Sequence, residues 1–485
     1  MNSTLLLVII LAYFSLLLGI AFYTSRHSNN ESFFIGNRNS KWWVVAFGMI
    51  GTSLSGMTFI SVPGTVGRVG FDYFQVVIGY FLGYFAVAFI LLPLYYRLHV
   101  TSIYSYLEAR LGAVSYKTGA LFFIISRTLG ATLRLYLVIK VLEKFVLSEL
   151  GISFELTAVV ILVLILLYTY RGGVKTIVWT DTLQTTFMLF ALLVCIGYVM
   201  HTLHFSLSEA WSTMRSAGYT KLIGTDPLAG NFFLKQIMGG AFITIAMTGL
   251  DQEMMQKNIS VTNLRDSQKN IITLSFLQMI VVFIFLLLGG LLALFAQSKG
   301  LSLSGDDLFP GIAIQSGLPF FITVCFVIGL VSALFPSADG ALTALTSSFC
   351  IDMLGIKSRT DWDEKRKKKV RLMVHNGFAL IFLACVFFFR EADNGSLIQT
   401  LLVVAGYTYG PLLALFSFGI LTRRKVREAF VPAICMISPI ACYVLKAHDK
   451  TWFGGYVIGT ELLIINALLA FLLLWFTSFK EKQLL

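Results

Sequence analysis

Thirteen stretches of the chain are apolar almost without interruption. They fall near residues 4–23, 42–64, 72–96, 117–147, 154–170, 177–202, 232–250, 271–297, 319–353, 371–390, 395–421, 428–446 and 454–477. Each approaches or exceeds the roughly 20 residues that carry a helix across a bilayer. A barrel strand would alternate over about ten residues instead. The pattern predicts an all-α integral membrane protein of about thirteen spans, because lipid leaves only helices and closed barrels able to satisfy their own backbone.

Most basic residues fall in the short connections between these runs. Arg97, Arg110, Arg171, Lys175, Lys257, Arg265 and Lys269 fall in alternate loops, as do the run from Lys357 to Arg371 and the cluster Arg423, Arg424, Lys425 and Arg427. The other set of loops is poorer, with Arg68, Arg215, Lys221, Lys299, Arg390 and Lys450. The positive-inside rule then predicts an outside N-terminus and a cytoplasmic C-terminus carrying Lys480 and Lys482, in a plasma (inner) membrane. The first run has its positive charge after it (Arg26, Arg38, Lys41), the reverse of a signal peptide. The longest outside loops are 203–231 and 298–318.

Composition agrees. The chain is 57% hydrophobic and 13% charged, with mean hydropathy +0.81, which leaves too little charge to clothe a soluble surface. The net charge of +12 resides in topological loops and does not argue for a nucleic-acid partner. Six cysteines lie inside apolar runs with no CxxC, so neither a disulfide framework nor a zinc site is read. His201 and His204 form an isolated HxxH at a membrane edge. No phosphate-binding GxxxxGK[ST] loop is present, which argues against a nucleotide-driven pump, and no nucleophile–base or metal constellation points to an enzyme.

Two runs are interrupted. The second holds Gly51-Thr52-Ser53-Leu54-Ser55-Gly56-Met57-Thr58 and ends in Pro63-Gly64. Glycines and hydroxyl residues at mid-membrane weaken a helix, and freed carbonyls there must line a cavity or hold an ion; the alternative is a small-residue packing face. The seventh, five helices later, carries Gly239-Gly240, Thr244 and Thr248, the pattern of an inverted repeat. That divides the single transport domain into an extra helix and loop (1–41), repeat one (42–202), an extracellular loop (203–231), repeat two (232–427) and two extra helices (428–485).

Polar groups inside a bilayer default to function. Asp181, beside Thr180 and Thr182, reads as a hard-oxygen site for a small cation or a proton, or as an ion pair with Lys175. In the ninth run Pro336 frees a carbonyl about one turn earlier, so that carbonyls near Ala333, the Ser337 hydroxyl and Asp339 could converge on a cation; the alternative is a packing kink. Arg127 and Arg134 share a helix face, and Arg134 suits a substrate carboxylate or an ion pair with Asp339 or Asp181. Tyr407-Thr408-Tyr409-Gly410-Pro411 is another interrupted stretch. Asp251-Gln252-Glu253 with Gln256-Lys257 reads as an interfacial cap or gate.

Residues 32–38, 102–112, Arg171–Lys175 with Trp179-Thr180-Asp181 and Gln184, Gly249–Gln252 with Gln256-Lys257, and Ser337-Ala338-Asp339 with Asp352 together resemble the sodium:solute symporter family. The resemblance spans nearly the whole chain. It implies a leucine-transporter-like five-plus-five inverted repeat and sodium-coupled import of a small polar solute by alternating access. It implies a sodium site of backbone carbonyls from Gly51, Leu54 and Ala333 with the Ser337 hydroxyl. Asp181 matches a carboxylate tied to a second sodium or to gating, and Asp339 could replace a hydroxyl lost nearby. Pro336 and Gly340 stand where the family often has hydroxyls. By the same carry-over Ser53, Ser55, Thr58, Arg134, Thr244 and Tyr407 would contact the solute, and the hydroxyl-rich pattern with an arginine resembles the branch that carries acidic sugars. Sodium would be the coupling ion, with no other cofactor. The expected partners are a small solute, sodium and the lipid bilayer, with no nucleic acid and no obligate protein partner. A proton-coupled symporter using Asp181 or Asp339, a channel and a transport-like sensor remain as other readings.

Overall fold

The computed structural model describes residues 3–25, 40–98, 102–392 and 397–479, without the side chains of 3, 25 and 171–175. The sequence motif at 32–38, the basic residues Arg26, Arg38, Lys480 and Lys482, and the side chains from Arg171 to Lys175 lie outside this description.

Each of the thirteen apolar runs has a helical counterpart. They are α1 (Thr4–Thr24), α2 (Trp42–Val69), α3 (Phe74–Leu98), α4 (Ala113–Leu150), α5 (Phe154–Tyr170), α6 (Thr176–Thr202), α7 (Phe233–Gly249 with Gln252–Ile259), α8 (Leu264–Ser298), α9 (Phe320–Met353), α10 (Glu364–Glu391), α11 (Leu397–Leu421), α12 (Glu428–Ala447) and α13 (Leu462–Thr477). Ten cross the length and hydropathy needed alone, and α7 does so as a bent pair; α5 and α13 are shorter. α5 and α6 belong to one helical element, Phe154–Thr202. The loop expected at 203–231 contains a helix, Leu207–Ser216, started by a reciprocal capping box between Ser206 and Glu209.

Burial sorts the helices. The apolar windows of α2, α4 and α9 are 89%, 83% and 78% buried, against 33%, 33% and 28% for α1, α10 and α12. The first three form the centre and the last three face lipid. The polar small residues of α2 are thus packed inside protein, where irregular backbone is tolerated.

α2 is broken at Ser55, whose φ of 28° and ψ of 168° lie outside the helical region. Ending the first half at Leu54 leaves the carbonyls of Gly51, Thr52, Ser53 and Leu54 as the last turn, without their usual intrahelical donors. The neighbouring Gly56 keeps this break close to other helices: a Cβ there would sit 2.4 Å from Val138 Cγ2 and 3.8 Å from the Leu334 backbone.

The second break differs from the expectation. Gly239 and Gly240 do not interrupt α7 but lie within continuous helix. Their absent side chains let α3 and α7 touch: a Cβ at Gly240 would lie 2.2 Å from the Val76 carbonyl oxygen, and one at Gly79 2.2 Å from that of Ile237. This is a small-residue seam. The bend, 65°, falls ten residues later, after a π-helical turn at Ile245–Gly249. There the Gly249 and Leu250 carbonyls accept from Tyr95 Oη (2.8 Å) and Tyr104 Oη (2.9 Å). Asp251 caps the second half through the amides of Glu253 (2.9 Å) and Met254 (3.2 Å).

Candidate functional site

A cavity lies around the Ser55 break. α2 lines it with Ser53, Ser55 and Thr58, α4 with Arg127 and Arg134, and α7 with Thr244 and Thr248. Tyr73, Tyr80, Tyr84 and Gln278 supply further polar edges. Past Tyr73, Ile398 and Leu402 it continues into a second cavity bordered by Asp72, Gln236 and Lys446. The centre is therefore approached from the side of the α2–α3 turn.

Five of the six residues expected at the solute meet here: Ser53, Ser55, Thr58, Arg134 and Thr244. Tyr407 is not brought to it. Its ring packs on Tyr443 of α12, with centroids 6.2 Å apart, and its carbonyl accepts from Asn466 (2.8 Å). Helical spacing explains this: α11 turns Ile398, Leu401 and Leu402 inward, a face continued by Tyr409, not by Tyr407.

The two arginines of α4 are both buried but differ in their partners. Arg127 is ion-paired with Glu253 and lies 3.8 Å from Asp251. Arg134 pairs with neither Asp339 nor Asp181; its Nε and Nη1 have no hydrogen-bond partner among the described residues. A buried guanidinium is strongly disfavoured unless an anion joins it.

Beside the break, α2 and α9 pack closely. The missing Cβ of Gly51 would stand 3.4 Å from the Pro336 ring, and its amide donates to Thr185 Oγ1 (3.1 Å), tying α2 to α6. Leu54, Ala333, Ser337 and Asp339 are all buried here. Ser337 donates its hydroxyl proton to the Leu334 carbonyl (2.8 Å), which leaves the oxygen lone pairs as acceptors. Asp339 accepts from Tyr168 Oη (2.7 Å) and from the Gly340 amide (2.5 Å). Carbonyls, a hydroxyl and carboxylates are the hard oxygen donors that a small cation takes.

A model described as the sodium:solute symporter family matches residues 33–434. The chain belongs to this family. It is a multi-pass, sodium-coupled symporter. It is similar to the sodium/sialic acid symporter SiaT of Proteus mirabilis, 24% identical over 467 residues, covering 93% of this chain and 91% of that one. It is 26% identical to the sodium-coupled monocarboxylate transporter 2 of Danio rerio over 413 residues; this match covers 81% of the symporter but 63% of that longer relative. A solved structure of the substrate-bound, outward-open state of a Na+-coupled sialic acid symporter shares its fold, with a TM-score of 0.83 at 20% identity over 97% of both chains.

The symporter also contains a buried charge network that the sequence placed at an interface. Asp181 Oδ2 accepts from Lys257 Nζ (2.7 Å) and from Thr52 Oγ1 (3.1 Å). Lys257 Nζ also donates to Thr52 Oγ1 (2.7 Å) and, one turn back, to Glu253 Oε1 (3.3 Å). All of these groups are buried. Gly340, where a serine was expected, now has a steric reason: a Cβ there would lie 2.2 Å from Glu253 Oε1. The signal in the sequence was the pair Glu253 and Lys257 at i, i+4, on one face of a short helix. What it could not show was that α7 bends and carries that face inward.

Proposed function

We propose that this symporter imports a small acidic solute, an acidic sugar or another carboxylate, together with sodium. The observation that carries the reading is Arg134, a buried guanidinium on the cavity wall with Nε and Nη1 unpartnered. A planar, permanently charged fork suits a carboxylate bidentately. Ser53, Ser55, Thr58 and Thr244 offer hydroxyls to the rest of a polyhydroxy solute. The relatives named for sialic acid and monocarboxylates carry solutes of this chemistry.

Sodium is held by the carbonyls of Gly51, Leu54 and Ala333 and the Ser337 hydroxyl, with Asp181 and Asp339 supplying negative field. Four buried carboxylates, Asp181, Asp251, Glu253 and Asp339, outnumber the three buried cations beside them, Arg127, Arg134 and Lys257, among the described residues. That excess favours a further cation. The repeats are 42–202 and 232–427, each opening on a broken helix, and the N-terminus lies outside a plasma (inner) membrane with the C-terminus in the cytoplasm. With this topology the cavity faces outward, sodium ties α2 to α9, the solute binds, and closure of the outer side precedes release inside. One charge crossing 100 mV contributes about 2.3 kcal/mol and a tenfold sodium gradient about 1.4 kcal/mol, enough for a few hundred-fold accumulation.

The test is a thermal-shift screen of purified protein against sialic acids, other sugar acids, monocarboxylates and neutral sugars, in sodium and in potassium at equal ionic strength. An acidic solute that stabilises in sodium and not in potassium is the expected result. Stabilisation by neutral sugars alone, or by acids equally in both salts, overturns the reading.

A further inference from the structure

We infer that Glu253 and Lys257, on the second half of α7, form a charge bridge through which the solute site and the sodium site sense one another. The inference rests on the sodium position proposed above, beside Thr52. Lys257 Nζ sits on Thr52 Oγ1 and Asp181 Oδ2, both at 2.7 Å. Thr52 lies in the turn whose carbonyls are freed by the break at Ser55. An ion held there has a buried ammonium for a neighbour, and two cations in a dry interior repel.

Lys257 has one place to retreat to. Glu253 Oε1, 3.3 Å away, already accepts from it, while Glu253 Oε2 is engaged by Arg127 Nη2. Drawing Lys257 onto Glu253 neutralises that carboxylate and loosens its hold on Arg127. Arg127 lines the solute cavity with its Nε unpartnered, on the same helix face as Arg134. Released, it is a second guanidinium for a solute carboxylate. The sequence runs equally in reverse. An anion that engages Arg127 leaves Glu253 to Lys257, and Asp181 is then open to sodium. Linkage requires this reciprocity. Gly340 makes the arrangement possible, since any side chain at that position would displace Glu253.

Lys257 and Glu253 are thus positioning residues for coupling, and the bridge makes a signed prediction that needs no solute. The probe is sodium alone, titrated against potassium at constant ionic strength, and the readout is the sodium concentration giving half-maximal thermal stabilisation of the full-length protein. Lys257→Met removes the repelling cation and lowers that concentration. Arg127→Met frees Glu253 for Lys257 and lowers it too, although Arg127 sits on the solute side. Glu253→Gln removes the retreat and raises it. Typical couplings of this kind amount to about 5-fold or more.

The double variant Arg127→Met with Glu253→Gln removes both charges of the pair, which protects folding if Arg127→Met alone is unstable. It should match Glu253→Gln, because Arg127 acts only through Glu253. Equal sodium response in wild type and Glu253→Gln, shifts of the same sign in all three single variants, or an Arg127 effect that persists without Glu253 overturns the bridge. A wild type with no sodium-specific stabilisation overturns the sodium reading and the bridge with it. A sodium-responsive wild type with the wrong signs overturns the bridge alone.

Discussion

Arg134→Ala should have opposite effects on binding and on stability. In the solute-bound state proposed above Arg134 would be one half of a buried charge pair, and truncating such a partner costs about 2–5 kcal/mol. At about 1.4 kcal/mol per tenfold, the affinity for an acidic solute falls roughly 30- to 4,000-fold. In the solute-free protein the balance reverses. Arg134 is 7% exposed, and its Nε and Nη1 find no partner among the described residues, so the several kcal/mol of desolvation is not returned by an anion. Arg134→Ala therefore leaves the solute-free protein as stable as wild type or more so. Arg127, seven residues earlier and also buried, is the control. Its loss leaves Asp251 without its cation and Glu253 with Lys257 alone, and should destabilise by about 3–5 kcal/mol. The assay is scanning fluorimetry in sodium without solute, paired with isothermal titration of the acidic solute found in the screen. If Arg134→Ala melts as low as Arg127→Ala, or binds the solute as wild type does, the reasoning about an unpaired guanidinium fails.

Three further outcomes follow from the geometry. Ser337→Ala removes a hydroxyl oxygen from the proposed ion site, and since a contact to a charged group contributes about 1.5–3 kcal/mol, the sodium needed for half-maximal stabilisation should rise at least about tenfold; an unchanged value removes Ser337 from the site. Ser55→Gly relieves a backbone conformation that disfavours side chains by about 1–3 kcal/mol, so its melting temperature should rise, while Ser55→Val lowers it. Gly240→Val drives a side chain into the Val76 carbonyl and should abolish the monodisperse peak on size-exclusion chromatography, whereas Gly197→Ala, with open space around its Cβ position, should elute as wild type.

Much of the architecture was legible along the chain because a bilayer imposes a local rule. Every span must satisfy its own backbone over about 20 apolar residues, so hydropathy alone located thirteen helical runs, although the connection expected between α5 and α6 is itself helical. The break in α2 was legible for the same reason: Gly51, Ser53, Ser55 and Gly56 concentrate weak helix formers at mid-span. The break in α7 was placed ten residues too early, because Gly239 and Gly240 look like breakers until α3 is seen packed against them. A glycine that bends a helix and one that lets another helix approach are identical in one dimension.

Residue type and spacing by themselves determined the all-helical class and the membrane setting, and the resemblance to the family supplied six solute contacts, of which five border the cavity. Tertiary structure decided the partners. Tyr407 and Tyr409 differ by two positions, yet one faces α12 and the other reaches Asp251 (2.9 Å). Asp181 and Lys257 are far apart in sequence and 2.7 Å apart in space, and Arg127 is neutralised while Arg134 is not. Hydrophobic burial is a property each helix carries with it. Charge pairing depends on distance between helices, and it exists only once the bend in α7 has turned Glu253 and Lys257 toward α4 and α6.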